Sequence, residues 1–344
     1  MTESFPFVSI VMPIRNESVC ILAALESLAA QDYPVDQFEI VIADGISTDG
    51  TRELVSGFQA AHPTLQFQLI DNPQKIVPTG INLAIRASKG ELILRADGHT
   101  TFPEDYVRQC VMTLKSMNCE NVGGRMLAVG DTDFGEAAST ATSSPFGVGG
   151  ALFHYGTYGA WVDSVYLGCW PREVFRSVGL FDEELVRDQD DEFNYRLRSQ
   201  GGRIWYNPEI TSTYSPRNSP GSLFKQYFQY GFWKVRVFQK HPKQMSPRQF
   251  VPPLFVLALL SAVALAFAVQ WGWYALVGLL GVYLFACLAA AFVHGKGQKT
   301  VVVLLLPLAY TIIHTSYGLG FLIGLLRFAN RWNDKLGKVP ECPV

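Results

Sequence analysis

No Asp, Glu, Lys or Arg occurs between Val251 and Val293, and no carboxylate occurs between Glu209 and Asp334. A soluble hairpin seldom runs that long without charge, and a transporter or channel would need the intramembrane ionisable groups that are missing. Lysines and arginines continue through the acid-free interval, so the C-terminal third is basic as well as apolar. That balance points to a membrane partner and away from a nucleic-acid groove. The six cysteines (Cys20, Cys110, Cys119, Cys169, Cys287, Cys342) form no Cys-x-x-Cys pair and no regular spacing. A disulfide framework or zinc site is thereby excluded, and a reducing compartment is expected. The opening residues, MTESFPF, lack the basic region and apolar core of a cleavable signal, so the N-terminal part is expected to stay in the cytosol.

Up to about residue 100, short apolar runs alternate with helix-periodic segments. Strands are expected at 7–12, 38–43, 65–70 and 91–96, with helices at 18–30, from about Thr51, and at 79–88. This alternation predicts an α/β domain with a doubly wound, mostly parallel sheet. Ligands of such sheets bind outside the carboxyl ends of the strands, which tells where to look for chemistry.

The stretch 201–220, rich in Gly, Pro, Ser and Asn, is expected to be a domain exit. The domain itself is assigned to 1–220. Residues 221–250 mix aromatic rings with Lys225, Lys234, Arg236, Lys240, Lys243 and Arg248, and fit an amphipathic helix lying among lipid headgroups, amines toward anionic lipid. The rest, 251–344, holds apolar stretches at about 251–270, 273–293 and 300–326, followed by a short tail. Each of the first two approaches the ~20 residues a helix needs to cross a bilayer, and Trp271-Gly272-Trp273 suits an interfacial turn between them. Pro307, His314 and glycines interrupt the third, which is either one tilted span or a re-entrant one. Three full spans would put Arg327, Arg331, Lys335 and Lys338 opposite Lys296 and Lys299, against the positive-inside rule.

Four motifs fall at the expected strand ends. Pro13-Ile14-Arg15-Asn16-Glu17 follows the first. Asp44-Gly45-Ile46-Ser47-Thr48-Asp49-Gly50-Thr51 follows the second, where Asp44 could accept from a base N–H and Asp49 could either position a ribose or cap the next helix. Arg95-Ala96-Asp97-Gly98-His99 follows the fourth, where Asp97 and His99 could reach a divalent metal on a diphosphate. The last is a carboxylate cluster, Phe181-Asp182-Glu183-Glu184 and then Asp188-Gln189-Asp190-Asp191-Glu192. Such a cluster could supply a general base or complement a helix dipole.

In their order and spacing these motifs resemble the family 2 glycosyltransferases, inverting enzymes on a nucleotide-binding GT-A fold. The resemblance covers about residues 7–235 and rests on VSIVMPIRNE, IADGISTDGT, the NPxxxxPTGIN stretch from Asn72 to Asn82, RADGHT, FDEEL and QDDEFNYRLR. Within the family the chain is most similar to bacterial exopolysaccharide enzymes of the succinoglycan-glucosyltransferase type, which carry C-terminal membrane segments. The resemblance implies that Pro13, Arg15, Glu17 and Asp44 line the nucleoside pocket and that Asp49, Asn82, Arg95 and Asp97 belong to the donor site. It implies a divalent metal, Mg²⁺ or Mn²⁺, at Asp97 and His99, and Asp190 as the catalytic base. Two positions depart from the family pattern. Arg95 stands where the first carboxylate of the DxD motif is usual, and Gln189 where a Glu precedes the base. The Gln-x-x-Arg-Trp motif of processive synthases is absent, with Gln226-Tyr227-Phe228-Gln229-Tyr230-Gly231 in that region.

The expected protein is thus a multi-pass inner-membrane glycosyltransferase with a cytoplasmic catalytic domain. It would move a hexose from a UDP-sugar to a lipid-linked saccharide acceptor in exopolysaccharide or cell-surface glycan synthesis. Polyprenyl phosphate or another lipid is the alternative acceptor. A catalytically silent, nucleotide-sugar-binding membrane scaffold is the alternative class.

Overall fold

The structure, a computed structural model, describes residues 5–214, 218–335 and 337–342. In chain order the elements are β1 (Val8–Ile14), α1 (Ile21–Ala29), β2 (Phe38–Asp44), α2 (Thr51–Ala61), β3 (Gln66–Asp71), α3 (Val77–Ala87), β4 (Leu92–Arg95) and β5 (Thr100–Thr101). They continue with α4 (Tyr106–Met117), β6 (Asn121–Ala128), α5 (Asp133–Thr142), α6 (Pro145–Val148), β7 (Ala160–Trp161), β8 (Tyr166–Pro171), α7 (Arg172–Val178), α8 (Gln189–Ser199) and β9 (Ile204–Tyr214). Last come α9 (Pro220–Lys240), α10 (Val251–Ala268), α11 (Gly272–His294) and α12 (Thr300–Arg327). The chain forms two compact units. The first takes 1–127, 151–214 and 337–344, and the second 128–150 and 215–336.

The first unit is built on one sheet in the order β3-β2-β1-β4-β8-β6-β9-β5, with β7 also paired to β9. β1, β2, β3 and β4 pair in parallel, as the sequence alternation predicts. Past β4 the sheet turns antiparallel, through β4–β8, β8–β6, β9–β5 and β9–β7. β1, β2 and β4 are covered on both faces, which explains why their sequences run mostly apolar, whereas β3 lies at the sheet edge and is half-buried. Successive residues still divide between the faces. Ile10, Met12, Ile40 and Ile42 meet α1, α2 and α4 through Leu25, Phe58 and Val107. Val11, Val41 and Ala43 meet α3, α7 and α8 through Ile81, Phe175 and Phe193.

In the second unit α9 spans Pro220–Lys240, started by a Ser219 capping box. The cations of α9 and the stretch after it differ from the expected lipid-facing arrangement: Lys234, Arg236 and Lys240 are buried, while Lys225 and, beyond the helix, Lys243 and Arg248 stay exposed. Arg236, 0% exposed, donates to Gln239 Oε1 at 2.7 Å and to the carbonyls of Arg331 and Asp334. Helices α10, α11 and α12 coincide with the three apolar stretches, and all three are long and apolar enough to cross a membrane. The Gly231, Gly320 and Gly324 positions let α9 and α12 approach until backbone meets backbone. A Cβ on Gly320 would collide with the carbonyl oxygen of Phe228.

Candidate active site

The two loops that leave β1 and β2 are stitched together by short polar side chains. Asn16 N–H donates to Ser47 Oγ (2.9 Å) while Asn16 Oδ1 accepts from Thr48 N–H (2.9 Å). Asn16 takes positive φ to do so. Glu17 N–H donates to Thr51 Oγ1 at 2.8 Å, and Ser18 N–H to Asp49 Oδ2 at 3.1 Å. Asp49 Oδ1 also accepts from the backbone and hydroxyl of Thr51. These bonds hold the carboxylate in its charged form, and they make Asp49 a tie between Thr51, the first residue of α2, and the β1 loop, while Gly50 takes the N-cap position. Gly45 leaves room for the Arg15 stem, which a Cβ would meet at 3.1 Å, and Pro13 packs against Gly80 of α3.

Asp44 ends β2 with 0% exposure. Its carboxylate accepts from the Ser47 hydroxyl (2.5 Å) and from Arg52 Nη1 (3.1 Å), so Ser47 and Arg52 carry its charge outward. Asn82 is likewise 0% exposed. Its amide accepts from Phe181 N–H (2.9 Å) and donates to Phe181 O (2.8 Å) and to Glu183 Oε1 (3.1 Å). The structure therefore gives Asn82 a scaffold contact that holds the segment leading into α8. A donor contact was expected for it.

At the end of β4, Arg95 is 7% exposed at its side chain and lies between two carboxylates. It pairs with Asp97 at 3.1 Å and, through Nη1, with Asp190 at the start of α8. Burial opposes its charge, but Asp190 and Asp97 outweigh that and hold the guanidinium above its ordinary pKa. Asp190 keeps an edge in solvent, its side chain 39% exposed. Crowding by protein nonetheless pushes its carboxyl above the ordinary value against the pull of Arg95. α8 starts from Asp188 in the left-handed region and carries Asp190, Asp191 and Glu192 in its first turn, complementing the helix dipole. Glu192 is engaged by Arg196 at 2.7 Å, and Arg196 also donates to the carbonyls of Val178 and Leu180. Gln189, 5% exposed, has a carboxamide oxygen without a partner among the described residues.

Across the same strand ends His99 Nδ1 lies 3.1 Å from Glu17 Oε1, and the His99 ring is edge-on to Tyr214. A carboxylate on Nδ1 fixes the tautomer in which the proton sits there and the lone pair on Nε2, the arrangement typical of metal-bound histidine. No group of three His, Cys, Asp or Glu that could hold a metal occurs among the described residues. A divalent ion at Asp97 and His99 would have to take its other ligands from a diphosphate and water, since the protein alone does not supply enough.

The structure thus brings Glu17, Arg95, Asp97, His99 and Asp190 to one end of the sheet, with Arg15 and Pro13 beside them. The Ser47–Asp44–Arg52 relay, continued by Arg52 to Asp71 at 2.6 Å, escaped the sequence reading. The signal for it was an arginine eight residues after Asp44, in the first turn of the next helix.

A mixed sheet whose parallel half ends in an acidic motif, with a carboxylate-led helix facing it, defines a GT-A glycosyltransferase. Comparison with known proteins agrees. The family model for glycosyl transferase family 2 matches residues 9–162. The chain is 33% identical to the succinoglycan biosynthesis protein ExoA of Rhizobium meliloti over 94% of its length and 96% of that protein's. It is 29% identical, over 68% of its length and 74% of the relative's, to a dolichyl N-acetyl-α-D-glucosaminyl phosphate 3-β-D-2,3-diacetamido-2,3-dideoxy-β-D-glucuronosyltransferase of Methanococcus voltae. Among solved structures, the mannosyltransferase PcManGT of Pyrobaculum calidifontis with GDP-Man and Mn²⁺ superposes with a TM-score of 0.60 at 20% identity, covering 94% of this chain and 88% of that one. S. aureus TarS 1–349 with UDP-GlcNAc gives 0.52 at 15%, covering 94% and 92%. The chain belongs to glycosyl transferase family 2 and is a glycosyltransferase acting on nucleotide sugars.

Proposed function

We propose that this enzyme inverts the anomeric centre of a hexose as it transfers it from a UDP-sugar to a lipid-linked saccharide at the cytoplasmic face of the inner membrane. The observation that carries the reading is the pair of carboxylates, Asp97 and Asp190, held on one buried arginine at the strand ends. Pro13, Arg15, Glu17 and the Asp44–Ser47–Arg52 relay would bind the nucleoside, and Asp49 would keep that loop in place. Asp97 and His99 would hold a divalent ion against the diphosphate, where the ion's charge neutralises the leaving group.

Asp190 would take the proton from the acceptor hydroxyl while that oxygen forms its bond to the anomeric carbon. The bond from that carbon to the diphosphate oxygen breaks in the same step, its electron pair leaving with the nucleoside diphosphate. Arg95 would keep Asp190 aimed and ionised. The acceptor class draws support from the relative whose name specifies a dolichyl-phosphate-linked sugar, and the polysaccharide setting from the succinoglycan relative. TarS in complex with UDP-GlcNAc supports the uridine donor, and PcManGT with Mn²⁺ supports the metal.

Membranes containing wild type or Asp190→Asn, given radiolabelled nucleotide sugars with Mg²⁺ or Mn²⁺, test the reading. Label in the lipid extract from one donor, dependent on metal and lowered about 10²–10⁴-fold in the variant, is expected. Equal labelling by the variant removes Asp190 as the base. Label only in free polyprenyl phosphate would select that acceptor, and donor binding without transfer to any added acceptor would leave a scaffold.

A further inference from the structure

The apolar helices sit between two passages of the chain through the first unit, which it leaves at Tyr214 and re-enters at Gly337. The returning strap, 337–342, is bonded into that unit. Leu180 N–H donates to Pro340 O and Glu183 N–H to Lys338 O, both at 2.9 Å, and Lys338 N–H donates to Asp182 Oδ1 at 2.9 Å. Asp182 is 0% exposed, and Cys342 packs on the core that holds Val11 and Phe175. Residues 337–342 therefore lie on the side of the membrane where the catalytic unit lies, and the number of crossings between 214 and 337 must be even.

The odd helix is identified by its neighbours. α12 meets the start of α10 at Pro252 and α11 at Tyr283, but from before its first residue to past its last it is also packed on α5, α6 and α9. Lys299 pairs with Glu136 of α5 at 2.6 Å, and His314 Nε2 lies 2.9 Å from Phe146 O of α6. Gly320 abuts Phe228 of α9, and Phe328 O accepts from Gln239 of α9 at 2.8 Å. The segment carrying α5 and α6 leaves and re-enters the first unit and bears Asp131, Asp133 and Glu136. α9 carries four cations. Neither is a membrane-spanning element. In their most apolar stretches α10 and α11 are 22% and 17% buried by protein, against 39% for α12.

We propose that α10 and α11 enter the bilayer as a hairpin while α12 and the C-terminal strap stay on the face that carries the catalytic unit. Lys296, Lys299, Arg327, Arg331, Lys335 and Lys338 then share one side, and the far turn at Val269–Trp271 carries no charge. This removes the charge conflict that three full spans create.

The test uses the full-length protein with one protease-cleavable epitope before Met1 and a different one after Val344, in sealed membrane vesicles. Externally added protease is expected to remove both epitopes together from vesicles of one orientation and neither from the other. Removal of one with protection of the other would mean an odd number of crossings and overturn the proposal. The readout is sidedness, so it stands or falls apart from any sugar-transfer result.

Discussion

Arg95 is the residue on which the site turns, because it binds the two carboxylates that the proposed chemistry keeps in separate roles. Replacing it with Leu should release Asp190 and leave Asp97 facing it without a cation, with transfer falling at least tenfold. Arg95→Lys, which keeps the charge and loses the fork, should recover part of that loss. Steady-state kinetics on the two variants checks this, and equal activity of Leu and Lys would show that the ion pairs do not matter. The pH profile should carry the same signature. As the proposed base, Asp190 would act only when ionised, and its pKa is raised, so kcat/KM should fall with acid at a higher pH than for an ordinary aspartate. Arg95→Leu removes an opposing charge and should move that limb higher still. The motif residues at the ends of β1, β2 and β4 were legible because a strand followed by a polar turn marks its own end. The bridge from Arg95 to Asp190 joins residues 95 apart, and no local pattern encodes it.

Among the elements, the parallel half of the sheet was legible and the antiparallel half was not. β1 through β4 announce themselves by apolar runs between helices, whereas β5 and β7 are two residues long and take their conformation from β9. The exit expected at 201–220 is largely β9, leaving the change of unit to residues just beyond Tyr214. The buried cations of α9 were illegible for a related reason: the carbonyls that receive Arg236 come from the chain nearly a hundred residues later. Two substitutions weigh these contacts. Asn82→Ala strips partners from the Phe181 backbone inside the core and should cost about 1–3 kcal/mol, lowering the Tm of detergent-solubilised protein. Gly320→Leu forces a side chain into the backbone of α9 and should cost at least about 1–3 kcal/mol in the same assay. An unchanged Tm in the second case would mean that α9 and α12 do not pack closely.

For the molecule as a whole, the exposed apolar surface of α10 and α11, including Leu254, Phe267, Tyr274, Val282, Phe285 and Phe292, has no protein cover. Alkaline carbonate should leave the protein in the membrane pellet, and detergent should release it. Recovery in the carbonate supernatant would exclude insertion of the hairpin.

The strap gives the catalytic unit a peculiar order of completion. Ribosomes deliver residues 337–342 only after α10, α11 and α12 have been made, so the unit that does the chemistry cannot close these hydrogen bonds until all three helices have been synthesised. A soluble fragment ending near residue 220 would leave the N–H groups of Leu180 and Glu183 and the buried Asp182 carboxylate short of their partners. Such a fragment should be less stable than the whole enzyme, and a synthetic peptide of residues 337–344 should raise its Tm.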